Sequence, residues 1–473
     1  MKDKAPQTTL HKNAIGLAEV LFQSVTAMAP ASAAAFSLGA AVPVAGTALP
    51  LATLIALAVC MLIAFNIAAM AKHLPSAGGY FTYVSRGLGD AAGWLTGWLF
   101  SLAYVLIVPL VLLVLGPLVD DFASQQFNLH LGWLFWAFLS LAGPLALTFF
   151  GVKLSSDSAV VLGVIEVGIF LVLAVWLIAT GDHPSFAATF TPKGSLEPGL
   201  GGWQGILHGM IFAFLAFAGF ESAAPLAEEA RDPRRTVPRA IVLATLCIGA
   251  FYVFCAYAAV AGWGANRMAS FTSDPNPWGT MAQRVWGAGS VLIFLAFLNS
   301  GLGNVVAGIT AASRAMYAMS RAGTLPKPLA HLHKVHRTPD VAVLATGFVG
   351  FLLAAWLGTR YGSAPAFALV GAIVTILILV VYVATCLSVP LFYYREHRQE
   401  FRIARHVILP LVPVVALVFP IWAQFSPAPA PPINLAGPVC GLWLLLGVVI
   451  VFMLRRRAPE ILAASGQLSV DEA

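Results

Sequence analysis

The sequence predicts an all-α integral membrane protein with twelve transmembrane helices, and three observations support this fold class. Of the 473 residues, 59% are hydrophobic and only 10% are charged, with a mean hydropathy of +0.86, whereas soluble domains carry about 25% charged residues. The apolar runs reach the roughly 20 residues that a spanning helix needs and exceed the about 10-residue alternating pattern of a barrel strand. Lysine and arginine fall between these runs, mostly in alternate connections.

Twelve mostly apolar runs are long enough to be spanning helices. In chain order they cover approximately residues 14–41, 47–71, 91–118, 131–150, 157–180, 204–227, 237–263, 285–313, 340–358, 365–391, 407–425 and 434–454. No connection between them is long enough to hold a separate domain, so we predict one transmembrane domain over 1–455 with its activity inside the membrane. Residues 456–473 are predicted to form a short cytoplasmic tail.

The distribution of positive charge predicts the orientation. With the amino terminus inside, the predicted cytoplasmic segments hold 22 lysine and arginine residues, and the outer segments hold four, Lys193, Arg267, Arg284 and Arg360. The positive-inside rule therefore places both termini in the cytoplasm of a multi-pass cell (inner) membrane protein. The net charge of +6 follows from this topology, and no nucleic-acid partner is needed to explain it. The basic N-terminal segment precedes an apolar run too long for a signal peptide, so we expect a retained first helix.

Two of the predicted spans carry helix-breaking and polar residues near mid-membrane. Span 1 contains Ser24, Thr26 and Pro30 among small residues, and span 6 contains Gly219 and Glu221 at a similar depth. If each is the first helix of a five-helix unit, the chain holds two units of opposite orientation. Interrupted helices at equivalent positions of inverted repeats mark the binding site of many transporters.

The break in span 1 has a direct physical cause. A proline in mid-helix removes an amide donor and clashes with the preceding turn, so we expect the backbone to open near it. Free amides of Ala31, Ser32 and Ala33 would then face a cavity with partial positive charge, as suits a carboxylate. Carbonyl groups near Thr26 and Phe217, which end the preceding half-helices, suit an ammonium group. A zwitterion fits both ends.

Three segments carry a family resemblance. "HLPSAGGYFTYVSRGLGDAAGWLTGW" (73–98), "GFESAAPLAEEARDPRRTVPRAI" (219–241) and "LNSGLGNVVAGITAASRAMYAMSRAGTLPKPLAHLHKVHRTP" (298–339) occur in the order expected for the amino acid, polyamine and organocation (APC) superfamily, which the chain resembles over nearly its whole length. The first helix departs from the pattern, because "AMAPASA" (27–33) stands where many members have a Gly-Ser-Gly-like core.

The resemblance implies the leucine-transporter type of fold, a five-plus-five inverted repeat. The repeats then cover about 14–180 and 204–391, helices 1 and 6 are broken, the helices at about 407–454 are peripheral, and 73–98 includes a short re-entrant element. The substrate site is expected at the midplane between helices 1, 3, 6 and 8. Its predicted residues, all at the two breaks, are Thr26, Ala27, Met28, Ala29, Pro30, Ala31, Ser32, Phe217, Ala218, Gly219, Phe220, Glu221 and Ser222.

Two acidic residues at membrane depth are proton-coupling candidates, because ionisable groups there are costly and usually functional. Glu221 aligns with a glutamate of the family's arginine/agmatine antiporter that is linked to substrate and proton response; its alternative role is to cap the half-helix that begins near Ser222. Glu166 lies in the middle of span 5, where family members that use protons place a titratable group. Its alternative role is that of a hydrogen-bonded structural acid.

The predicted function is secondary active transport of a small amino acid by alternating access, coupled to H⁺. A polyamine or organocation importer and an amino acid exchanger remain alternatives. An intramembrane enzyme would need a nucleophile with a base, and the spans show no such grouping. The five cysteines lie apart in apolar runs, and "HLHKVH" (331–336) is interpreted as a basic loop, so we predict no cofactor and no metal. The expected partners are the small-molecule substrate and the lipid bilayer.

Overall fold

The computed structural model describes residues 13–76, 78–197, 199–426 and 429–464; the side chains of 152–159, 461, 463 and 464 lie outside this description. The predicted N-terminal tail and the end of the predicted C-terminal tail therefore lie largely outside it. Within the described residues the long elements are all helices, and twelve of them are long and apolar enough to cross a membrane. The all-α class with twelve spans is thus confirmed.

The spanning helices keep the numbering of the predicted spans. Their bounds are Leu17–Met28 resuming at Pro30–Ser32 (span 1), Leu49–His73 (2), Asp90–Val105 with Ile107–Phe127 (3), Trp133–Phe150 (4), Val152–Thr180 (5), Trp203–Phe217 (6), Pro233–Trp263 (7), Val291–Arg321 (8), Asp340–Tyr361 (9), Ser363–Glu396 (10), Leu409–Ala423 (11) and Ala436–Arg457 (12).

Short helices fill the connections. Tyr80–Leu88 lies between spans 2 and 3, where the family resemblance implies a re-entrant element, and it packs against spans 3 and 10. On the other side of the molecule, Pro277–Trp286 precedes span 8. The connection from span 1 to span 2 also stays helical, in short π, 3₁₀ and α turns over residues 33–48.

Each inner span packs against several others. Span 1 contacts spans 5, 7 and 8, span 2 runs along span 7, and span 3 contacts spans 4, 8, 9 and 10. Span 12 is peripheral, because only 17% of its most apolar stretch is buried, compared with 78% of the most apolar stretch of span 1. Large apolar side chains on the outer spans are exposed, such as Phe138 at 58% and Leu442 at 69%. Such exposure suits helices whose outer faces contact lipid, because an apolar solvent carries no cost for exposed apolar groups.

The connections on the two sides of the molecule differ in their number of lysine and arginine residues. We call the basic side the one that holds the connections 74–89, 218–232, 322–339 and 397–403, and the opposite side the one that holds 128–132, 181–198, 264–290 and 362. Twelve spans, an even number, place residue 13 and the end of span 12 on the same side, the basic side.

Candidate functional site

Span 1 is interrupted at Ala29. The first helix ends at Met28, Ala29 has φ 48° and ψ 66°, and the helix resumes with Pro30 in its first turn. The left-handed conformation costs an alanine about 1–2 kcal/mol, while proline suits the first position of a helix because its missing N–H needs no partner there. The predicted interruption at Pro30 is therefore confirmed, and it is placed one residue before the proline.

Span 6 is interrupted over a longer stretch. Its helix ends at Phe217, Gly219 has φ 122°, and the chain continues as turns with one short 3₁₀ helix, Ala224–Leu226, before span 7 begins at Pro233. The predicted interruption at Gly219 is confirmed. The half-helix expected to begin near Ser222 is not formed, since residues 219–223 are turns, so Glu221 does not cap such a helix.

The two interruptions contact each other. A Cβ atom added at Gly219 would lie 2.5 Å from the carbonyl carbon and oxygen of Ala27, so only glycine allows this approach and this φ value. The Ser24 hydroxyl donates to the Phe220 carbonyl at 2.6 Å, and the Ser222 hydroxyl donates to the Gln23 carbonyl at 3.1 Å. The first bond satisfies a carbonyl in the turns after span 6, where no helix supplies a partner, and the second ties these turns to the helix of span 1.

A cavity lies beside the interruptions. It shares Phe36, Val114 and Phe367 with a larger cavity, whose lining includes Asp121 and Asn276 at the opposite side of the molecule. The smaller cavity is thus adjacent to the larger one, and these three side chains line both. No charged side chain lines the smaller cavity among the described residues.

The cavity includes part of the predicted site. Ala27, Met28, Ala29, Ser32 and Ala218 line it, and Gly219 lines a small neighbouring pocket between spans 1, 3, 6 and 10. The remaining predicted residues are buried around the two interruptions and do not line the cavity beside them. These residues are Thr26, Pro30, Ala31, Phe217, Phe220, Glu221 and Ser222.

Most residues that line the cavity are not among the predicted site residues. Apart from Asn304, the unpredicted residues are apolar except for Ser37. They are Ala33, Phe36 and Ser37 after the break, Ile107, Leu110, Val111, Val114 and Leu115 of span 3, Leu215 of span 6 and Phe367 of span 10. The span 3 residues follow helical spacing and share one face. Because span 3 is apolar around its circumference, its sequence carries no signal that distinguishes the cavity face. Span 10 was not among the helices expected to form the site.

Glu166 of span 5 contacts the resumed part of span 1. Its side chain is 1% exposed, one oxygen accepts from the Ala31 amide at 3.1 Å, and the other accepts from the Asn299 side chain at 2.6 Å. The Ser300 hydroxyl also hydrogen-bonds the carboxylate and accepts from the Ser32 amide at 3.1 Å. Glu166 thus joins spans 1, 5 and 8 at the first interruption.

This contact corrects the expectation that the amides of Ala31, Ser32 and Ala33 are free. Glu166 accepts from the first and Ser300 from the second, and the Ala33 amide donates to the Ala29 carbonyl at 2.7 Å. The physical reason is that an unpaired amide at this depth costs several kcal/mol, and neighbouring helices supply acceptors that the sequence of span 1 does not reveal.

Glu221 is held by donors from three parts of the chain. It is fully buried, one oxygen accepts from the Tyr104 hydroxyl of span 3 at 2.8 Å, and the other accepts from the Tyr382 hydroxyl of span 10 at 2.8 Å and the Gly219 amide at 3.1 Å. The carboxylate therefore ties the second interruption to spans 3 and 10. Both of these spans also line the cavity beside the interruptions.

Asn304 of span 8 is a polar group of the cavity that is not among the predicted site residues. It lines the cavity, and its buried amide oxygen has no hydrogen-bond partner among the described residues. A buried acceptor without a partner costs free energy, and a donor on a bound molecule would remove that cost.

Two ion pairs join span 8 to the chain that follows span 6 on the basic side. Arg314 and Glu229 are joined at 2.8 Å with both side chains 2% exposed or less, and Arg321, which is 18% exposed, joins Glu228 at 2.8 Å. The Glu229 carbonyl also accepts from the amide of Ile15, just before span 1, at 3.2 Å. Removing one partner of a buried pair costs about 3–5 kcal/mol, so these contacts hold spans 1, 6 and 8 together on this side.

Comparison with known proteins gives a consistent result along the chain. The family model for Amino acid permease matches residues 19–458. The branched-chain amino acid permease BcaP of Lactococcus lactis subsp. cremoris is 24% identical over 96% of this chain and 95% of its own length. The uncharacterized transporter Rv1999c of Mycobacterium tuberculosis is 30% identical over 73% of this chain and 72% of its own. The low-affinity putrescine importer PlaP of Escherichia coli is 26% identical over 64% of this chain and 66% of its own.

The contact between the interruptions can be tested with Gly219→Ala. The added Cβ atom meets the Ala27 backbone at 2.5 Å and a φ of 122° is strained for alanine, so we expect the substitution to lower stability by about 2–4 kcal/mol. Thermal unfolding of the purified protein measures this loss. The matched control is Gly143→Ala, where nothing lies within 4 Å of the added atom. If both variants unfold at the same temperature, the close approach of the two spans is wrong.

Proposed function

Because this chain belongs to the amino acid permease family, we propose that it is a secondary transporter that moves a small amino acid across the cell membrane by alternating access, driven by protons. The family consists of permeases, so the protein is not an enzyme, and its substrate is a small molecule. The observation that carries the proposal is the cavity where two interrupted helices meet. Interrupted helices at membrane depth are tolerated where they line such a cavity.

The proposed orientation places the basic side in the cytoplasm, as the positive-inside rule requires. Both termini are then cytoplasmic. We propose that the substrate reaches the cavity from outside, by way of the larger cavity that adjoins it, and that the pairs Arg314–Glu229 and Arg321–Glu228 close the cytoplasmic path in this conformation. Alternating access then requires that these ion pairs separate while the outer cavity closes.

The proposed substrate is a zwitterion with a small apolar side chain. Ile107, Leu110 and Val111 offer apolar surface for the side chain. The unpartnered amide oxygen of Asn304 is suited to the ammonium group. The Ser32 hydroxyl lines the cavity and donates to the Phe297 carbonyl at 3.3 Å, and we propose that it turns to donate to the carboxylate. Two relatives that match most of this chain are named branched-chain amino acid permeases.

A polyamine importer is the second candidate, favoured by the similarity to PlaP. A dication needs anionic or carbonyl acceptors, because burying an unpaired ammonium is costly. Glu166 and Glu221 both accept hydrogen bonds from protein donors and neither lines the cavity. The cavity lining therefore favours the amino acid.

The substrate class is tested by uptake into proteoliposomes with an inward proton gradient, using radiolabelled leucine, valine, alanine and putrescine in parallel. We expect uptake of at least one of the amino acids and little uptake of putrescine. The variant Asn304→Ala removes the proposed ammonium acceptor and is expected to raise KM about tenfold or more, the value of one charged hydrogen bond of about 1.5–3 kcal/mol.

The control for this experiment is Asn276→Ala. Asn276 lines the larger cavity and lies outside the proposed substrate site, so this variant should keep the wild-type KM. Uptake of putrescine alone would contradict the amino acid assignment. Uptake that occurs only when the liposomes are preloaded with amino acid would identify an exchanger.

Proton coupling is proposed to involve Glu166. A protonated carboxyl group accepts fewer hydrogen bonds than a carboxylate, so protonation weakens its hold on the Ala31 amide and thereby links the proton to the position of the resumed part of span 1. Such linkage requires that the two conformations differ in proton affinity.

The test is Glu166→Gln, which fixes a neutral side chain of the same size. We expect counterflow exchange to persist and gradient-driven accumulation to fall about tenfold or more. The matched control is Glu19→Gln, which removes a carboxylate from the first turn of span 1 and should retain both activities. Equal survival of both activities in Glu166→Gln would return Glu166 to a structural role.

Glu221 is proposed to hold the second interruption in its working geometry. Glu221→Gln keeps the side-chain shape but replaces one acceptor oxygen with a donor group, which conflicts with the hydroxyl donors of Tyr104 and Tyr382. We expect transport to fall about tenfold or more, with the protein still folded. Tyr104→Phe and Tyr382→Phe each remove one donor and should show smaller losses in the same uptake measurement. Wild-type transport by Glu221→Gln at every pH would contradict this role.

A further inference from the structure

The basic side holds a cluster of potential metal ligands that are far apart in the sequence. His73 ends span 2, His397 follows span 10, and Glu400 lies in the connection to span 11. Their ligand atoms all lie within 4.8 Å of one another. Among the described residues, no other group of three histidine, cysteine or acidic side chains shares this arrangement.

The geometry of the cluster leaves a nitrogen atom without a partner. The Nε2 atom of His73 is buried and has no hydrogen-bond partner among the described residues. It lies 3.6 Å from the Oε2 atom of Glu400, beyond hydrogen-bonding distance. The imidazole rings of His73 and His397 are 4.0 Å apart between centroids, with their planes tilted by 37°. The two rings thus lie nearly face to face beside the carboxylate, and binding of one ion requires the rings to turn so that a nitrogen of each points toward it.

We propose that His73, His397 and Glu400 bind a divalent transition-metal ion of the zinc type. Zinc binds imidazole nitrogen at about 2.0–2.1 Å and carboxylate oxygen at about 2.0–2.2 Å, so the ligand atoms of a tetrahedral site are about 3.4 Å apart. The ligand atoms, now within 4.8 Å of one another, reach that spacing by moving up to about 1.4 Å closer together, and a water molecule would fill the fourth position. Two histidines and one carboxylate are a donor set that zinc uses in proteins.

Positive charge near the cluster opposes the ion. The Lys72 ammonium lies 3.6 Å from the same Glu400 oxygen, and Arg234 also acts electrostatically on His73. The Lys72 side chain is 57% exposed and sits on a flexible stem, so it can leave the carboxylate when an ion arrives. Lys72 therefore competes with the ion, and its removal should strengthen metal binding.

A bound ion would join two parts of the transporter. Spans 2 and 10 already share one link near the cluster, since the Tyr393 hydroxyl donates to the Ala69 carbonyl at 3.1 Å. Span 2 runs along span 7, while span 10 supplies Phe367 to the substrate cavity. The ion would add a second, stronger link between these helices on the basic side.

The test measures zinc binding by the full chain, purified in detergent through a tag without histidine and stripped of metal with a chelator. Zn²⁺ is titrated in competition with a chromophoric chelator. We expect one tightly bound equivalent in the wild type, a loss of affinity of about tenfold or more in His73→Ala, His397→Ala and Glu400→Gln, and a gain of affinity in Lys72→Ala.

The matched control is His331→Ala. His331 is a histidine of the basic side that pairs with a carboxylate, Asp340, at 2.7 Å, and its loss should leave the bound equivalent unchanged. Thermal unfolding without metal shows which variants are folded, and the gain in Lys72→Ala does not depend on removing any ligand. A wild type that binds no zinc equivalent, or His73→Ala and His397→Ala variants that bind as the wild type does, would overturn the proposal. The readout is metal binding alone, so it is independent of the transported substrate.

Discussion

The hydrogen bond from the Ala31 amide to Glu166 is the contact on which the site most depends. Interrupting span 1 at Ala29 exposes backbone amides at membrane depth, where each unpaired group costs several kcal/mol. Glu166 and Ser300 supply the acceptors from spans 5 and 8. The broken helix is therefore stable only as part of this arrangement, and any change in the hydrogen-bonding capacity of Glu166 acts directly on the backbone beside the cavity.

The second interruption is also stabilised by a buried carboxylate, which has a different set of hydrogen-bond partners. Glu221 accepts from the Gly219 amide within the break and from Tyr104 and Tyr382 on spans 3 and 10. Each broken helix is thus held by one buried carboxylate whose acceptor sites are used by the protein. The consequence is a cavity between the breaks whose described lining carries no charged side chain, which favours a small zwitterion with an apolar side chain over a free cation.

The two sides of the molecule differ in packing, because ion pairs join the helices on the basic side and the larger cavity lies on the opposite side. On the basic side, ion pairs and the backbone contact of Ile15 with Glu229 join spans 1, 6 and 8. On the opposite side, Phe36 and Phe367 lie where the small cavity meets the large one. Separating a buried ion pair carries a large cost unless water reaches both charges, so the proposed opening of the basic side would have to hydrate these residues.

The sequence by itself determined the all-α class, the twelve spans and the interruptions at Pro30 and Gly219, because hydrophobic run length and helix-breaking residues act locally along the chain. It also identified the two buried carboxylates, since an acid in an apolar run is conspicuous. Tertiary structure alone decided their partners: Glu166 takes the Ala31 amide, which the sequence left free. It likewise selected the cavity face of the uniformly apolar span 3 and brought His73 beside His397. The reason is that such contacts join residues distant in the chain, and local patterns carry no record of which helix face will meet which.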